Sequence, residues 1–414
     1  MMRRRVGLLI LFGLVLFGAY SSGFGLYFRL VYVIALAGLG GLLWAWLNLR
    51  WLSVEVSRSL TRTHVGGYLE GRIRIRNRSR WPKGWLEVEE LSNMPGYNST
   101  HVVSLPPRGF RYWQVRTYCP KRGVYTLGPV QVTSGDPLGF LRLRRLLGKP
   151  TTVVVYPPIV ELPYLSLPLA RLPGDEALRQ RTLQPTPLAS SVRDYWVGDG
   201  VNRIHWPSTA RLGKLMVKEF DLGMSATLWM LLDFRKDSQA GEGVETTDET
   251  AATIAASVAA RVIKLGMAVG LVIEGDRHYE LAPDQTHHHM NKVLETLAKA
   301  KAEGRTSLDK AITSIDDRLN RYTTLMVITP ALQGDWLATI EPLKRRGVRL
   351  CIIHIDAASF GARGSSQEVL EKLKALGVPT FNVRRGQSLA EALKAPLNGL
   401  DHDTVRLGVE EYGR

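Results

Sequence analysis

The chain reads as a multi-domain protein: two N-terminal transmembrane helices, a small antiparallel β-sandwich, and a C-terminal doubly wound α/β domain. Three observations predict this. Two uncharged apolar runs open the sequence, at residues 6–25 and 30–47. A stretch of period-two alternation follows, punctuated by turn residues. From residue 226 onward, strand-like and helix-like segments alternate, the pattern of a parallel sheet wrapped by helices.

At 414 residues the length fits two soluble domains plus accessories, and a hydrophobic content of 45% is ample for packed cores. The net charge of +16 is unevenly spread: residues 50–149 hold 18 Lys and Arg against 6 Asp and Glu. Such a bias suits nucleic acid, anionic lipid or an acidic partner. The two cysteines, Cys119 and Cys351, fall in different predicted domains. A disulfide framework is therefore not expected, and a reducing compartment is compatible.

Residues 1–50 form the predicted membrane hairpin. Each apolar run is close to the roughly 20 residues a helix needs to cross the hydrocarbon core. A signal peptide headed by Arg3, Arg4 and Arg5 competes for the first run, but that run is long for one and a second follows almost at once. Only residues 24–29 separate the two. Arginines before the first run, and Arg50, Arg58 and Arg62 after the second, place both termini in the cytoplasm by the positive-inside rule. The expectation is a multi-pass protein of the cell (inner) membrane with cytoplasmic soluble domains. Trp44, Trp46 and Trp51 suit the interfacial aromatic belt on that side.

Residues 51–150 carry the basic β domain. In the run from Gly71, Ile73 and Ile75 alternate with Arg72, Arg74, Arg76 and Arg78, so the isoleucines face a core and the arginines face out. Turn signals at 79–84, 93–98 and 106–109 separate strand-like runs at 85–90, 110–117 and 130–133, which predicts a sandwich. The outward row reads as arginine alone. RNA-binding sheets pair basic residues with aromatics on one face, so nucleic acid is not expected as a partner. The plain reading is a solvated strand face; the other is attraction to an anionic inner leaflet or an acidic partner, at about 1 kcal/mol per basic side chain near the membrane surface.

Two stretches carry the densest patterning. In residues 121–143, Gly123, Gly128 and Gly135 punctuate short strands and Asp136-Pro137 starts a turn. Residues 151–225, between the two soluble domains, include 193–220, with Trp196, Trp206 and the Gly198-Asp199-Gly200 turn. A plain linker would be rich in Gly, Ser or Pro. The paired patterns resemble the bacterial "domain of unknown function 58" family. The first falls on Arg122, Gly123, Tyr125, Gly128 and Pro129, closing on Asp136, Pro137 and Gly139. The second falls on Tyr195, Gly198, Asp199, Arg203, Ile204, Trp206, Thr209, Ala210 and Arg211, and His205, at an unspecified position within it, is counted with the candidate site.

The resemblance implies a membrane-anchored product with a β domain and a von Willebrand factor A-like domain. Relatives of this kind are encoded beside a MoxR-type AAA+ ATPase and a transglutaminase-like membrane protein. It brings no catalytic residues. Read physically, the second motif is either an internal brace or a partner-recognition surface. Asp199-Gly200 suits a tight turn, and Arg203 and Arg211 have Asp194, Asp199 and Glu219 as candidate partners. Trp196 and Trp206 can bury their faces between domains. Asp199, His205 and Ser208 sit within ten residues and lack a nucleophile-elbow sequence, so no hydrolase triad is expected.

Residues 226–395 form the predicted α/β domain, followed by a polar tail at 396–414. Strands are expected at 228–232, 268–273, 278–281, 324–328, 349–355 and 380–383. Helices are expected at 249–265, 287–302, 307–319, 336–346 and 366–376. The functional surface of such a sheet lies at the carboxyl ends of its strands. There a von Willebrand A-like domain would hold a divalent metal with Asp-x-Ser-x-Ser, a threonine and a second aspartate. This chain keeps Asp233, but Arg235 and Asp237 replace the serines, Thr306 is the candidate threonine, and the middle strand ends Thr329-Pro330. A degenerate site with an internal Arg–Asp pair is expected, with no cofactor and no Mg²⁺. The run His287-His288-His289 is no metal site either, because adjacent helical positions point about 100° apart.

The function these features favour is that of a non-enzymatic, membrane-tethered interaction or scaffold protein. A MoxR-type AAA+ ATPase would be its partner in complex assembly or quality control. One alternative is a divalent-metal-dependent, adhesion-type ligand-binding domain using Asp233, Asp237 and Thr306. Another is a hydrolase acting on cell-wall or protein substrates.

Overall fold

A computed structural model of the chain describes residues 2–136, 139, 141–168, 191–194, 206–219, 227–398 and 405–406. The chain divides into two units, Met1–Tyr156 and Pro157–Arg414.

The first unit opens with helices α1 (Met2–Ser22) and α2 (Gly25–Leu49), which lie against each other and are joined through Gly23 at φ +62°. A positive φ is available to glycine at little cost, which permits so short a joint. Among the described residues, α2 is the one helix both long and apolar enough to cross a membrane. Within α1 the described apolar stretch is Phe12–Ser21, so among the described residues one of the two expected spans meets the length and composition of a membrane helix.

Nine strands follow: β1 (Leu52–Arg58), β2 (Arg62–His64), β3 (Tyr68–Asn77), β4 (Lys83–Ser92), β5 (His101–Leu105), β6 (Phe110–Tyr118), β7 (Gly123–Gly135), β8 (Arg142–Leu147) and β9 (Thr151–Tyr156). One sheet has the order β1-β3-β6, and the other β2-β9-β7-β4-β5 with β8 also on β7. Their inner faces share a core. Leu52 and Ile75 of the first sheet pack with Leu86, Val88, Leu105, Val130 and Val132 of the second. Alternation put Ile73 and Ile75 inside, and both are fully enclosed. The pairing departs from pure antiparallel at one edge, where the three-residue β2 runs parallel to β9.

The outward arginine row is not arginine alone. The register of β3 with β6 sets Tyr112 opposite Arg74, Phe110 opposite Arg76 and Tyr118 opposite Tyr68. The guanidinium of Arg74 stacks 4.3 Å from the Phe110 ring, that of Arg72 lies 5.4 Å from Tyr112, and that of Arg116 lies 4.0 Å from Tyr68. A single strand's alternation cannot show which residues of a distant strand share its face, and register alone decides that.

The second unit is built on a six-stranded sheet. Its strands follow β10 (Ser166–Leu167), β11 (Ser191–Asp194) and β12 (Met216–Glu219). They are β13 (Thr227–Asp233), β16 (Ala268–Glu274), β17 (His278–Asp284), β18 (Thr323–Thr329), β19 (Arg349–Ile355) and β20 (Thr380–Val383). The small hairpin β14 (Gly241–Glu242) and β15 (Glu245–Thr246) interrupts them, and β21 (Val405–Arg406) pairs with β10. The order is β17-β16-β13-β18-β19-β20, parallel throughout except for β17 at one edge.

Helices Thr247–Lys264, His287–Lys299, Leu308–Ser314, Leu337–Arg345 and Gln367–Ala375 connect these strands. The strand β18 is buried along its whole length, as expected of a central parallel strand covered on both faces. The helix expected at 307–319 breaks into Leu308–Ser314 and a 3₁₀ turn, Asp316–Arg318.

Candidate functional site

The carboxyl ends of the parallel strands carry a polar row. Register sets Glu274 of β16 beside Asp233 of β13, Thr329 of β18 beside His354 of β19, and His354 beside Asn382 of β20. Thr329 closes the gap between the two halves by donating its hydroxyl to Asp233 Oδ2 at 2.9 Å.

Asp233 is the centre of this row and is only 2% exposed. Its Oδ1 accepts the backbone N–H of Arg235 at 3.0 Å, and its Oδ2 also accepts the Ser238 hydroxyl at 3.4 Å. Burial pushes its carboxyl above the ordinary carboxylate value. The Arg235 N–H, the Thr329 hydroxyl, the Arg235 charge and Ser238 pull the other way. The loop after β13 is clasped in place: Gln239 Nε2 donates to the Asp233 carbonyl at 2.9 Å, and the Thr247 hydroxyl donates to Gln239 Oε1 at 2.7 Å.

A second loop locks against it. Gly304 N–H donates to the Phe234 carbonyl at 3.0 Å, and Lys236 N–H donates to the Gly304 carbonyl at 2.9 Å. A Cβ at Gly304 would stand 2.6 Å from the Glu274 carbonyl oxygen, so only glycine fits that approach.

The residues expected to form a degenerate metal site are arranged differently from the expectation. Arg235 meets Asp233 through its amide, its Nε has no partner, and no ion pair joins the two side chains. Asp237 and Thr306 are exposed, and no bond joins either to Asp233. Both oxygens of Asp233 accept hydrogen bonds from the chain itself, and Arg235 occupies the sequence position where a serine ligand is expected. Among the described residues, no group of three or more His, Cys, Asp or Glu is placed to hold a metal. The histidine run splits as helical geometry requires. His287 and His288 are exposed, whereas His289 is buried with Nε2 2.6 Å from the Val269 carbonyl.

Residues the sequence reading missed complete the edge. Ser238 and Thr329 hold Asp233 as hydrogen-bond donors, a role different from that of the metal-ligating serines and aspartate the resemblance implies. His354 is fully buried, with no partner on either ring nitrogen. Burial pushes it down to about 4, opposed by Asp356. Asp356 itself accepts the Ser366 hydroxyl at 2.6 Å.

Of the second motif, Tyr195, Gly198, Asp199, Arg203, Ile204 and His205 lie outside the described residues, as does Trp196. Trp206, Thr209, Ala210 and Arg211 lie on the short helix Trp206–Leu212, where the Trp206 side chain is 62% exposed. Thr209 ties this helix to β12, since its hydroxyl accepts the Met216 N–H at 3.0 Å. The first motif builds β7. Tyr125 donates to the Lys121 and Arg122 carbonyls, Gly128 sits at φ +89°, and Asp136 is held by two backbone bonds, one to Leu141 and one from Gly139. Gly139 takes φ +76° in that turn, and Pro137 lies outside the described residues.

A family model described as "Protein of unknown function DUF58" matches residues 191–358. The uncharacterized protein YeaD of Bacillus subtilis (strain 168) is 24% identical over 299 residues, covering 70% of this chain and 73% of that protein. Among solved structures, the CARDB domain of PF1109 from Pyrococcus furiosus is 18% identical, with a TM-score of 0.19 over 25% of this chain and 91% of that one. The C-terminal domain of wzt is 8% identical at a TM-score of 0.20, over 25% of this chain and 73% of that one. Likenesses this slight carry no argument about function.

Proposed function

We propose that this chain, a member of the DUF58 family, is a membrane-anchored, non-enzymatic interaction protein. Its six-stranded α/β unit would offer a docking surface at the carboxyl edge of the sheet. The observation that carries the reading is the closure of Asp233. Its carboxylate is buried and satisfied by Arg235, Ser238 and Thr329, so it braces the two loops rather than reaching for a ligand. What those loops expose instead is charged and mixed in sign: Lys236 and Arg305 stand beside Asp237 and Glu303, and Arg363 and Arg384 stand near the far end of the edge. A charged rim over a rigid, hydrogen-bonded floor suits a protein surface of complementary charge pattern, where that complementarity sets encounter rate and register. A von Willebrand A-like identity for this unit, cytoplasmic placement, and two spans with both termini in the cytoplasm belong to the same reading.

The partner the family resemblance implies is a MoxR-type AAA+ ATPase. The test is a pull-down of the purified MoxR-type ATPase from the same source with the detergent-solubilised chain, beside Lys236→Glu/Arg305→Glu. Binding by wild type that is lost in the variant, at an unchanged unfolding midpoint, supports the reading. Equal binding by both removes the rim from it, and no binding by wild type removes the partner.

A further inference from the structure

The end of the first unit where α2 enters the β-sandwich has a surface of unusual construction. Among the described residues, three that are not glycine have positive φ: Trp51 at 60°, Trp85 at 49° and Arg108 at 53°. All three lie at this end of the unit. For bulky side chains such a conformation is strained, and it persists only where the surroundings impose it. Here the strain turns large side chains outward: Trp85 is 51% exposed, Trp51 46%, and Arg108 is exposed.

The surroundings that impose it are specific. Asn77, fully buried at the end of β3, donates to the Trp81 carbonyl at 2.8 Å and to the Pro106 carbonyl at 3.0 Å, and accepts the Ser79 N–H at 3.0 Å. It thereby fixes loops 78–82 and 106–109 side by side, and the Arg108 N–H donates to the Ser79 carbonyl at 2.9 Å. Trp81 projects from this double loop at 74% exposure. The loops contribute Arg78, Arg80 and Arg108 and no acidic residue.

This surface is continuous with the end of α2. Arg78 N–H donates to the Trp51 carbonyl at 2.9 Å, and the Arg50 guanidinium lies 4.4 Å from the Trp46 ring and 4.9 Å from the Trp51 ring. Asn48 donates to the Gly84 carbonyl at 3.2 Å, Lys83 donates to the Leu47 carbonyl, and Arg145 donates to the Leu49 carbonyl at 2.9 Å. These bonds hold the sandwich rigidly to the helix, with the cations at the negative end of its dipole.

The geometry points to a bilayer seat: this end of the β-sandwich rests on an anionic lipid surface. Trp51, Trp81 and Trp85 would lie at headgroup level, with Arg50, Arg78, Arg80 and Arg108 among the lipid phosphates. Tryptophan belongs at the membrane–water interface, where its apolar ring and its N–H are both accommodated. Juxtamembrane cations gain from the anionic leaflet beside them. An exposed, strained indole is poorly placed facing water and well placed there. The proposal rests on the reading of α2 as a membrane anchor, and gives the sandwich a fixed orientation on the bilayer.

The test uses the full chain in lipid nanodiscs containing phosphatidylglycerol, with a nitroxide at Trp81→Cys and, separately, at Gln114→Cys on the outward face of β6. Cys119 and Cys351 are fully buried, so labelling is confined to the new thiol. The expected result is loss of collisions with an aqueous nickel chelate at position 81, but not at 114. Unlabelled chain should show slowed hydrogen exchange at 78–82 and 106–109 in phosphatidylglycerol relative to phosphatidylcholine discs, and Arg78→Gln/Arg80→Gln/Arg108→Gln should abolish that difference. A chain that co-purifies with discs but stays fully aqueous at 81, with equal exchange in both lipids, overturns the seat and leaves the anchor standing. A chain that does not enter discs overturns both.

Discussion

Thr329 donates its hydroxyl to Asp233 Oδ2 at 2.9 Å across 96 positions of sequence, joining the ends of two adjacent parallel strands. The same hydroxyl accepts the Ala331 N–H at 3.0 Å, so one side chain fixes both the carboxylate and the turn after β18. Replacing it with valine keeps the shape and leaves a buried oxygen short of a donor. Thr329→Val should destabilise the second unit by about 1–3 kcal/mol, the usual cost of such a loss. Urea unfolding in detergent measures it, and an unchanged midpoint would show that Arg235 and Ser238 suffice.

The polar row contains two groups that titrate with opposite sign. Burial holds His354 at about 4, below its unfolded value of 6.5, so the native state binds fewer protons in that window. Its contribution is therefore complete above pH 6.5 and lost as pH falls toward 4, by roughly 3 kcal/mol. His354→Phe should flatten the stability profile there, read as the difference from wild type at each pH. Asp233 is shifted upward, so its ionisation opposes folding as pH rises above 3.8. Asp233→Asn should therefore become relatively more favourable as pH rises through the carboxylate range. A constant difference from wild type would mean that the carboxyl is not shifted.

In the β-sandwich, Arg58 and Glu90 form a buried ion pair, and the Tyr97 hydroxyl also donates to Glu90. Removing one partner strands a charge in the core. Arg58→Met should cost about 3–5 kcal/mol, and Arg58→Met/Glu90→Gln should recover much of it. Thermal unfolding of both variants decides this, and a double variant no better than the single would place the damage in packing rather than charge.

Gly304→Ala would push a methyl group against the Glu274 carbonyl at 2.6 Å, with the Gly275 and Phe234 carbonyls at 3.0 and 3.1 Å. Backbone on three sides cannot yield as a side chain would. A loss of about 1–3 kcal/mol is expected, as for overpacking elsewhere. Limited proteolysis should show faster cleavage within 301–306. An intact loop would show that the strand ends adjust without it.

Mg²⁺ at millimolar concentration should leave the unfolding midpoint unchanged, because a cation at Asp233 would have to compete with the hydrogen bonds that Arg235, Ser238 and Thr329 already make to it. A saturable rise in midpoint, abolished by Asp233→Asn, would restore the metal-dependent alternative.

Local pattern alone determined much of this protein. The burial of Ile73 and Ile75, the alternation of strands and helices after residue 226, and the splitting of His287, His288 and His289 between surface and core all follow from periods of 2 and 3.6. Those periods are properties of the backbone a few residues long. The tertiary structure decided what depends on which strands become neighbours. It set Phe110, Tyr112 and Tyr118 on the arginine face, bonded Asp233 to Thr329 and Ser238, and gathered Trp51, Trp81, Trp85 and Arg108 at the end of α2. Register and sheet order are set by packing between segments far apart in the chain, and no local period encodes them.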